Sequence, residues 1–231
     1  MANLATAYSH QGKYEEAGEL ELNVLDLRKK VLGLEHQDTL SSMANLAVIC
    51  TRQGKYEEAG ELEIHVLDLC KKVLGQEHLD TLTSMANLAV TYSNQEKYEK
   101  AGELKLKVLD MHKRVQGPEH PDTLTSMANL AIIYSHQGKY KESEDLELNV
   151  LDLRKKVLGP DHPDTLTSMA NLAVTYSNQG KYEKAEEMEL NVLDLHKSVL
   201  GPEHPSTLTS MANLAVTYLE QGKYEDRKSV V

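Results

Sequence analysis

The chain has 231 residues, with 25 basic against 36 acidic side chains and a formal net charge of -11. That balance argues against duplex nucleic acid or an anionic lipid surface as the main partner. Its two cysteines, Cys50 and Cys70, write no disulfide framework or cysteine-based zinc site. With no apolar run near the roughly 18 residues of a membrane span and no signal-peptide pattern, a reducing, cytoplasmic compartment is expected.

The stretch Met-Ala-Asn-Leu-Ala begins at Met1, Met43, Met85, Met127, Met169 and Met211, always 42 residues apart. A fixed period of this size marks units that cannot bury their own apolar faces and must stack on their neighbours. The period predicts a single stacked array over residues 1–231, with repeats at 1–42, 43–84, 85–126, 127–168 and 169–210 and a partial unit at 211–231.

The fifth repeat serves as specimen. From Leu166 to Asn178 the residues Leu166, Met169, Leu172, Ala173 and Tyr176 fall on one helical arc, while Thr167, Asn171, Val174 and Asn178 line the opposite side. This is an amphipathic helix, A, for which Asp164 or His162 is the candidate cap and Pro163 fits either a position before the cap or the first turn. Gly180 supplies the left-handed residue that ends it. Helix B follows from about Tyr182 to Leu200, and its apolar residues cover more than half the circumference, as a helix wedged between two neighbours requires. Glu183, Glu186 and Glu187 in the first turns and His196-Lys197 in the last complement the helix dipole. Gly201-Pro202 then stops the helix.

Leu172-Ala173, Tyr176, Gly180-Lys181-Tyr182 and Ala185 together resemble the tetratricopeptide repeat. The long form, with L-G-x-x-H-P-D-T-L between units, is similar to the repeats of kinesin light chains and of fungal NB-ARC-type signalling proteins. The resemblance implies an all-α fold: an α-solenoid, a right-handed superhelix of antiparallel helix pairs, acting as a non-catalytic protein–protein interaction scaffold. Several positions depart from the pattern. Glu21, Glu63, Glu147 and Glu189, with Lys105 in the third repeat, fall inside the apolar arc of helix B. Ser143 replaces the small Ala of the A/B contact, and Cys50 replaces its Tyr.

The candidate binding site is the row Asn3, Asn45, Asn87, Asn129, Asn171 and Asn213, on the side of helix A away from the apolar arc. The resemblance implies that this side lines a concave groove. A row of amides can pair with the backbone of an extended peptide whatever its sequence, whereas the structural alternative has these amides bonded to neighbouring helices or solvent. Flanking positions would set specificity. They are Ser41, Thr83, Thr125, Thr167 and Thr209 one turn before, Thr6, Val48, Val90, Ile132, Val174 and Val216 one turn after, and the variable His10, Arg52, Asn94, His136, Asn178 and Glu220 a turn further on. Only Arg52 there is permanently basic, which argues against a clamp for a C-terminal carboxylate.

The loop histidines His36, His78, His120, His162 and His204 occur once per repeat with no second His at metal-ligand spacing, so they read as duplicated loop or cap hydrogen bonds. A basic band (Arg28-Lys29-Lys30, Lys71-Lys72, Lys113-Arg114, Arg154-Lys155-Lys156) reads as a solvated face with an acidic tail as its possible ligand. The tyrosines recur at helix-packing positions, as core. No phosphate-binding loop, nucleophile elbow or recurrent Cys/His pair is present, and no metal or cofactor is expected. Met1 enters midway through helix A and the sixth unit stops at Lys223-Tyr224-Glu225. A segment of a longer protein is expected, and self-stacking end to end through uncapped terminal repeats is the alternative function.

Gly18, Gly60 and Gly102 sit early in helix B of the first three repeats, where Glu144 and Glu186 stand later. Glycine in a helix interior costs about 1 kcal/mol relative to alanine. The N-terminal half is therefore expected to open more readily, and equal hydrogen-exchange protection of the two halves would refute this.

Overall fold

The computed structural model describes residues 2–222, with side chains from residue 4 onward. Its elements are α1 (Ala2–His10), α2 (Tyr14–Leu32), α3 (Gln37–Arg52), α4 (Tyr56–Val73), α5 (Leu79–Asn94), α6 (Tyr98–Val115), α7 (Pro121–His136), α8 (Tyr140–Leu158), α9 (Pro163–Asn178), α10 (Tyr182–Leu200) and α11 (Pro205–Glu220). Odd-numbered helices are the A helices and even-numbered ones the B helices, and the described residues contain no strand. The chain divides into two compact units, with the boundary between Met111 and His112 inside α6. In the first unit each helix from α1 to α5 packs on the next; in the second the same holds from α7 to α11, and A helices also touch the next A helix at α3–α5, α7–α9 and α9–α11.

The A helices start where a histidine caps them. His162 is extended (φ -68°, ψ 138°), and its Nδ1 accepts from the Asp164 backbone N–H at 3.2 Å. His36, His78, His120 and His204 repeat the arrangement. The cap is thus the histidine and not the aspartate, and Pro163 occupies the first turn, where its missing N–H costs nothing. The next residue but one closes the loop behind it. Thr165 is fully buried and its hydroxyl donates to the Gly159 carbonyl at 2.8 Å, as Thr81, Thr123 and Thr207 do to Gly75, Gly117 and Gly201.

A second polar contact ties each B helix to the following A helix. Arg154 donates to the Asp164 carbonyl and to Ser168 Oγ, both at 2.8 Å, and Arg28 does the same with Asp38 and Ser42. His112 and His196 meet Ser126 and Ser210 at 2.8 Å, and Cys70 meets Ser84. The contacts to serine join residues 14 apart and the arginine contacts to the aspartate carbonyls residues 10 apart, always from the last turns of B to the first turns of A. Between the contacts lies the apolar core. Leu25, Leu40, Met43, Leu46, Ala59 and Val66 form one cluster, and Leu151, Leu166, Met169, Leu172, Tyr176 and Val192 another.

The A-to-B turn needs a left-handed residue. Gly180 supplies it with φ +73°, but the third repeat has Glu96 at φ +58°, where a side chain is strained. Early in B, Gly60 leaves room for the Gln95 amide, which donates to the Tyr56 carbonyl at 2.7 Å; a Cβ there would stand 3.2 Å from that nitrogen. The fourth repeat solves the same contact differently. Glu144 Oε2 accepts from Gln179 at 3.0 Å and from Lys181 at 2.8 Å, which holds the Glu144 carboxyl below its usual range.

Thr165→Val removes the loop clamp while preserving shape and leaves the Gly159 carbonyl without that donor. A loss of about 1 to 2 kcal/mol is expected in urea unfolding, and an unchanged midpoint would show that the clamp is dispensable.

Candidate functional site

The core claims Met, Leu and the second Ala of each Met-Ala-Asn-Leu-Ala stretch, which leaves Asn on the other side of helix A. Asn45 is exposed and Asn87, Asn129, Asn171 and Asn213 are half-buried. None of these five amides makes a hydrogen bond within the described residues, unlike the Gln53, Gln95 and Gln179 amides, which are tied to backbone. The side chain of Asn3 lies outside the described residues. The first unit thus carries Asn45 and Asn87 on its A helices, and the second carries Asn129, Asn171 and Asn213.

The flanking rows share that face. Thr83, Thr125 and Thr167 are exposed, and the hydroxyls of Thr83 and Thr167 donate back to the Leu79 and Pro163 carbonyls, so they offer a ligand acceptors rather than donors. Val90, Ile132 and Val174 are 47%, 37% and 43% exposed, so each remains partly open to solvent. In the variable row Arg52, Asn94, His136 and Asn178 are exposed. Asn178 donates to Ser135 at 3.3 Å, and Ser177 donates to Glu220 at 2.6 Å, so part of this row is committed to neighbouring helices of the second unit.

Shallow pockets open between successive A helices. In the first unit one of about 230 Å³ lies between α3 and α5, bordered by Ser41, Asn45, Thr83 and Asn87. In the second unit its counterpart, about 310 Å³, lies between α9 and α11 beside Thr167, Asn171, Thr209 and Asn213. Both expose more apolar than polar surface.

Beneath this face runs a row of charged side chains that periodicity alone assigns to the core. Glu21, Glu63, Glu147 and Glu189 are buried, each with one carboxyl oxygen that has no partner, and Lys105 is buried at the corresponding position of α6. Burial pushes the carboxyls of Glu63, Glu147 and Glu189 up to about 7, with the neighbouring Thr91, Thr175 and Thr217 hydroxyls pulling back part of the rise. Burial likewise lowers the Lys105 ammonium, whose Nζ lies 3.5 Å from the Ala86 carbonyl. A sequence signal for these pairings does exist. Glu63, Glu147 and Glu189 are each followed 28 residues later by threonine, whereas Glu21 and Lys105 are followed by Ile49 and Ile133.

The basic band is partly absorbed. Arg28 and Arg154 make the B-to-A contacts, Lys72 pairs with Glu35, and Lys156 pairs with Glu119. The tyrosines pack as core at Tyr176 and Tyr218, and lysine ammonium groups lie over the rings of Tyr8, Tyr92, Tyr134 and Tyr176 at 5.4–5.7 Å. Tyr224 and the Lys223-Tyr224-Glu225 stretch lie outside the described residues. Among the described residues no group of three or more His, Cys, Asp or Glu side chains is placed to hold a metal ion, and no helix is long and apolar enough to cross a membrane.

Stacked antiparallel helix pairs with a repeated polar face on the A helices define an α-solenoid of the helix-pair repeat class. Tetratricopeptide repeat profiles match residues 1–63, 44–104, 123–164, 165–206 and 207–228, and the chain belongs to the tetratricopeptide repeat family. It is similar to the crystal structure of nearly identical TPR-like repeats of a kinesin light chain-type protein from Podosopora anserina. The identity is 31% and the TM-score 0.78, over 85% of this chain and 93% of that one. BtubC (BKLC) from P. vanneervenii shares the fold at 18% identity and TM-score 0.75, over 94% and 88% of the two chains. A signal transduction ATPase with numerous domains from Pyrococcus horikoshii, which carries a tetratricopeptide repeat sensor, does so at 17% identity and TM-score 0.72, over 96% of this chain and 33% of that one. No curated protein sequence matches the chain. Members of the family are generally protein-interaction scaffolds.

The buried carboxyls set a pH dependence. The folded state holds these protons more tightly than the unfolded chain, so their contribution to stability is complete below about pH 4.5 and is lost as pH rises toward 7, about 1 to 3 kcal/mol per residue. Urea midpoints should therefore fall between pH 5 and pH 8. The triple variant Glu63→Gln, Glu147→Gln, Glu189→Gln should flatten that fall, and an equally steep profile in the variant would assign the dependence elsewhere.

Proposed function

We propose that the chain is a non-catalytic binding module whose A-helix face holds an extended segment of a partner protein. The observation that carries this reading is the row of five asparagine amides, each without an intramolecular partner although every one stands on a packed helix. An amide supplies two donors and an acceptor, enough to pair with both backbone groups of an extended peptide residue. Such pairing is indifferent to ligand sequence, so the apolar row and the variable row are left to discriminate. Val90, Ile132 and Val174 offer half-exposed aliphatic surface, and Arg52, Asn94 and His136 differ from repeat to repeat.

Thr83 and Thr167 border the pockets with hydroxyls that donate back to their own helix and so present acceptor lone pairs, which suits ligand side chains that donate. The net charge of -11 disfavours strongly acidic ligands at long range. No nucleic acid, membrane or cofactor enters this function, which suits a cytoplasmic adaptor or the sensing part of a larger signalling protein.

The test is the triple variant Asn87→Ala, Asn129→Ala, Asn171→Ala against an array of acetylated, amidated nonapeptides. With the fold intact by circular dichroism, binding should fall at least tenfold at about 1 kcal/mol per lost hydrogen bond. Binding equal to wild type would make the asparagines structural.

A further inference from the structure

The acid row beneath the binding face is unexplained by packing. A carboxylate replacing a leucine in a helix stack forfeits apolar burial and incurs desolvation, and replacement of isolated buried charges by apolar side chains is commonly neutral or stabilising. In four of five B helices the acid nevertheless stands at the same position. Two of these acids line pockets that open on the asparagine face of the first unit. Glu63, 4% exposed with Oε2 unpartnered, lines a pocket of about 460 Å³ with Tyr14, Val48, Arg52, Asn87, Val90 and Thr91. Glu21, 1% exposed with Oε1 unpartnered, lines one of about 410 Å³ that shares Tyr14, Val48 and Arg52 and is bordered by Asn45.

Each pocket therefore combines three things beside one ladder asparagine: aliphatic walls, an aromatic side and an unsatisfied carboxyl oxygen at the base. A peptide lying along the asparagines would send alternate side chains toward the A-helix face. A side chain with a long aliphatic stem and a terminal cation fits the order of the walls, stem against Val48 and Val90 and charge against the carboxylate. The free acceptor is a single oxygen, which suits the point charge of an ammonium better than the two-pronged fork of a guanidinium.

We propose that the Glu63 pocket receives a lysine side chain of the extended segment, with the Glu63 carboxylate pairing its ammonium, and that Glu21 forms a second pocket of the same kind. The proposal rests on the peptide-binding reading above. It has a protonic consequence. The titratable and charged groups facing the pocket are Tyr14 of α2, Arg52 of α3 and Glu63 of α4. Burial pushes the Glu63 carboxyl up to about 7, so a fraction of it is protonated at neutral pH in the free protein, whereas the bound ammonium requires the anion. Binding then releases the proton of the protonated Glu63 fraction to solvent while the lysine keeps its own, and net charge balances.

Arg52 at the rim is a permanent cation and opposes the ligand's charge, so its removal should strengthen binding. This orders the variants: Arg52→Ala above wild type, wild type above Glu63→Gln. The glutamine variant keeps the shape and hydrogen-bonding capacity of the site and loses only the ability to become an anion.

The probes are three pools of acetylated, amidated nonapeptides with Lys, norleucine or Glu at the centre and Ala, Ser, Thr and Val elsewhere. The expected result is that the Lys pool binds about tenfold more tightly than the norleucine pool, the scale of a charge-assisted hydrogen bond. Calorimetry in buffers of different ionisation heat should show proton release near pH 7, absent in Glu63→Gln together with the preference for lysine. Equal binding of the Lys and norleucine pools, or an unchanged lysine preference in Glu63→Gln, overturns the pocket while leaving peptide binding standing. No binding by any pool, with the wild-type fold intact, overturns both.

Discussion

A B helix that is apolar over more than half its circumference cannot be buried by its own A partner, and everything else in the molecule follows from that. Val192 and Leu193 of α10 illustrate it. Val192 packs in the cluster with Leu166 and Tyr176 of α9, whereas Leu193 packs in the cluster with Leu214 and Tyr218 of α11. α10 is thereby shared between its own repeat and the next, and a repeat that shares its B helix in this way is not a stable object by itself. The loops inherit the same requirement. Because the next A helix must arrive at a fixed height on B, the connection between them is held by a histidine cap, a buried threonine and a contact to serine, three polar devices within a few residues.

These devices explain a division of labour between the two faces of helix A. The packed face is fixed by apolar area and by hydrogen bonds that are all internal. The other face carries asparagine amides with no internal partner, threonine hydroxyls turned back on their own helix, and open valine side chains. A surface with unspent backbone-like hydrogen bonds beside aliphatic patches is poorly matched to water alone and well matched to another polypeptide. On the proposed binding reading, the packing beneath would hold those amides in place before a ligand arrives and so limit the ordering cost of binding.

Much of this was readable from residue order. The extent of helix B from Tyr182 to Leu200, the left-handed Gly180 and the outward placement of Asn171 all follow from apolar periodicity and cap chemistry. The start of helix A was not, since the periodic signal begins at Leu166 and the first turn, Pro163-Asp164-Thr165, contains nothing apolar to announce it. Thr165 and Ser168 were invisible for a related reason. Hydrophobic patterning treats hydroxyls as surface, and their burial becomes evident only when the Gly159 carbonyl and the Arg154 guanidinium are seen opposite them. The charged row in helix B was legible as an anomaly but not as a site. The 28-residue spacing from Glu63 to Thr91 points across to the next repeat, and a reading made one repeat at a time passes over it.

Lys105 gives the array something that its translational symmetry otherwise denies. On the proposed binding reading, nearly identical repeats would present an extended ligand with equivalent alignments, each shifted by one repeat, and nothing in Asn45 and Asn87 of the first unit ranks them. Within the first unit, the reversed sign at Lys105 makes the series Glu21, Glu63, Lys105 read acid, acid, base, and that series no longer superimposes on itself after a shift of one or two repeats. A ligand carrying its own pattern of charges would meet a mismatch in every displaced alignment that brings its cation over Lys105. One substitution in a duplicated sequence thereby converts a ruler with identical divisions into one with a marked origin.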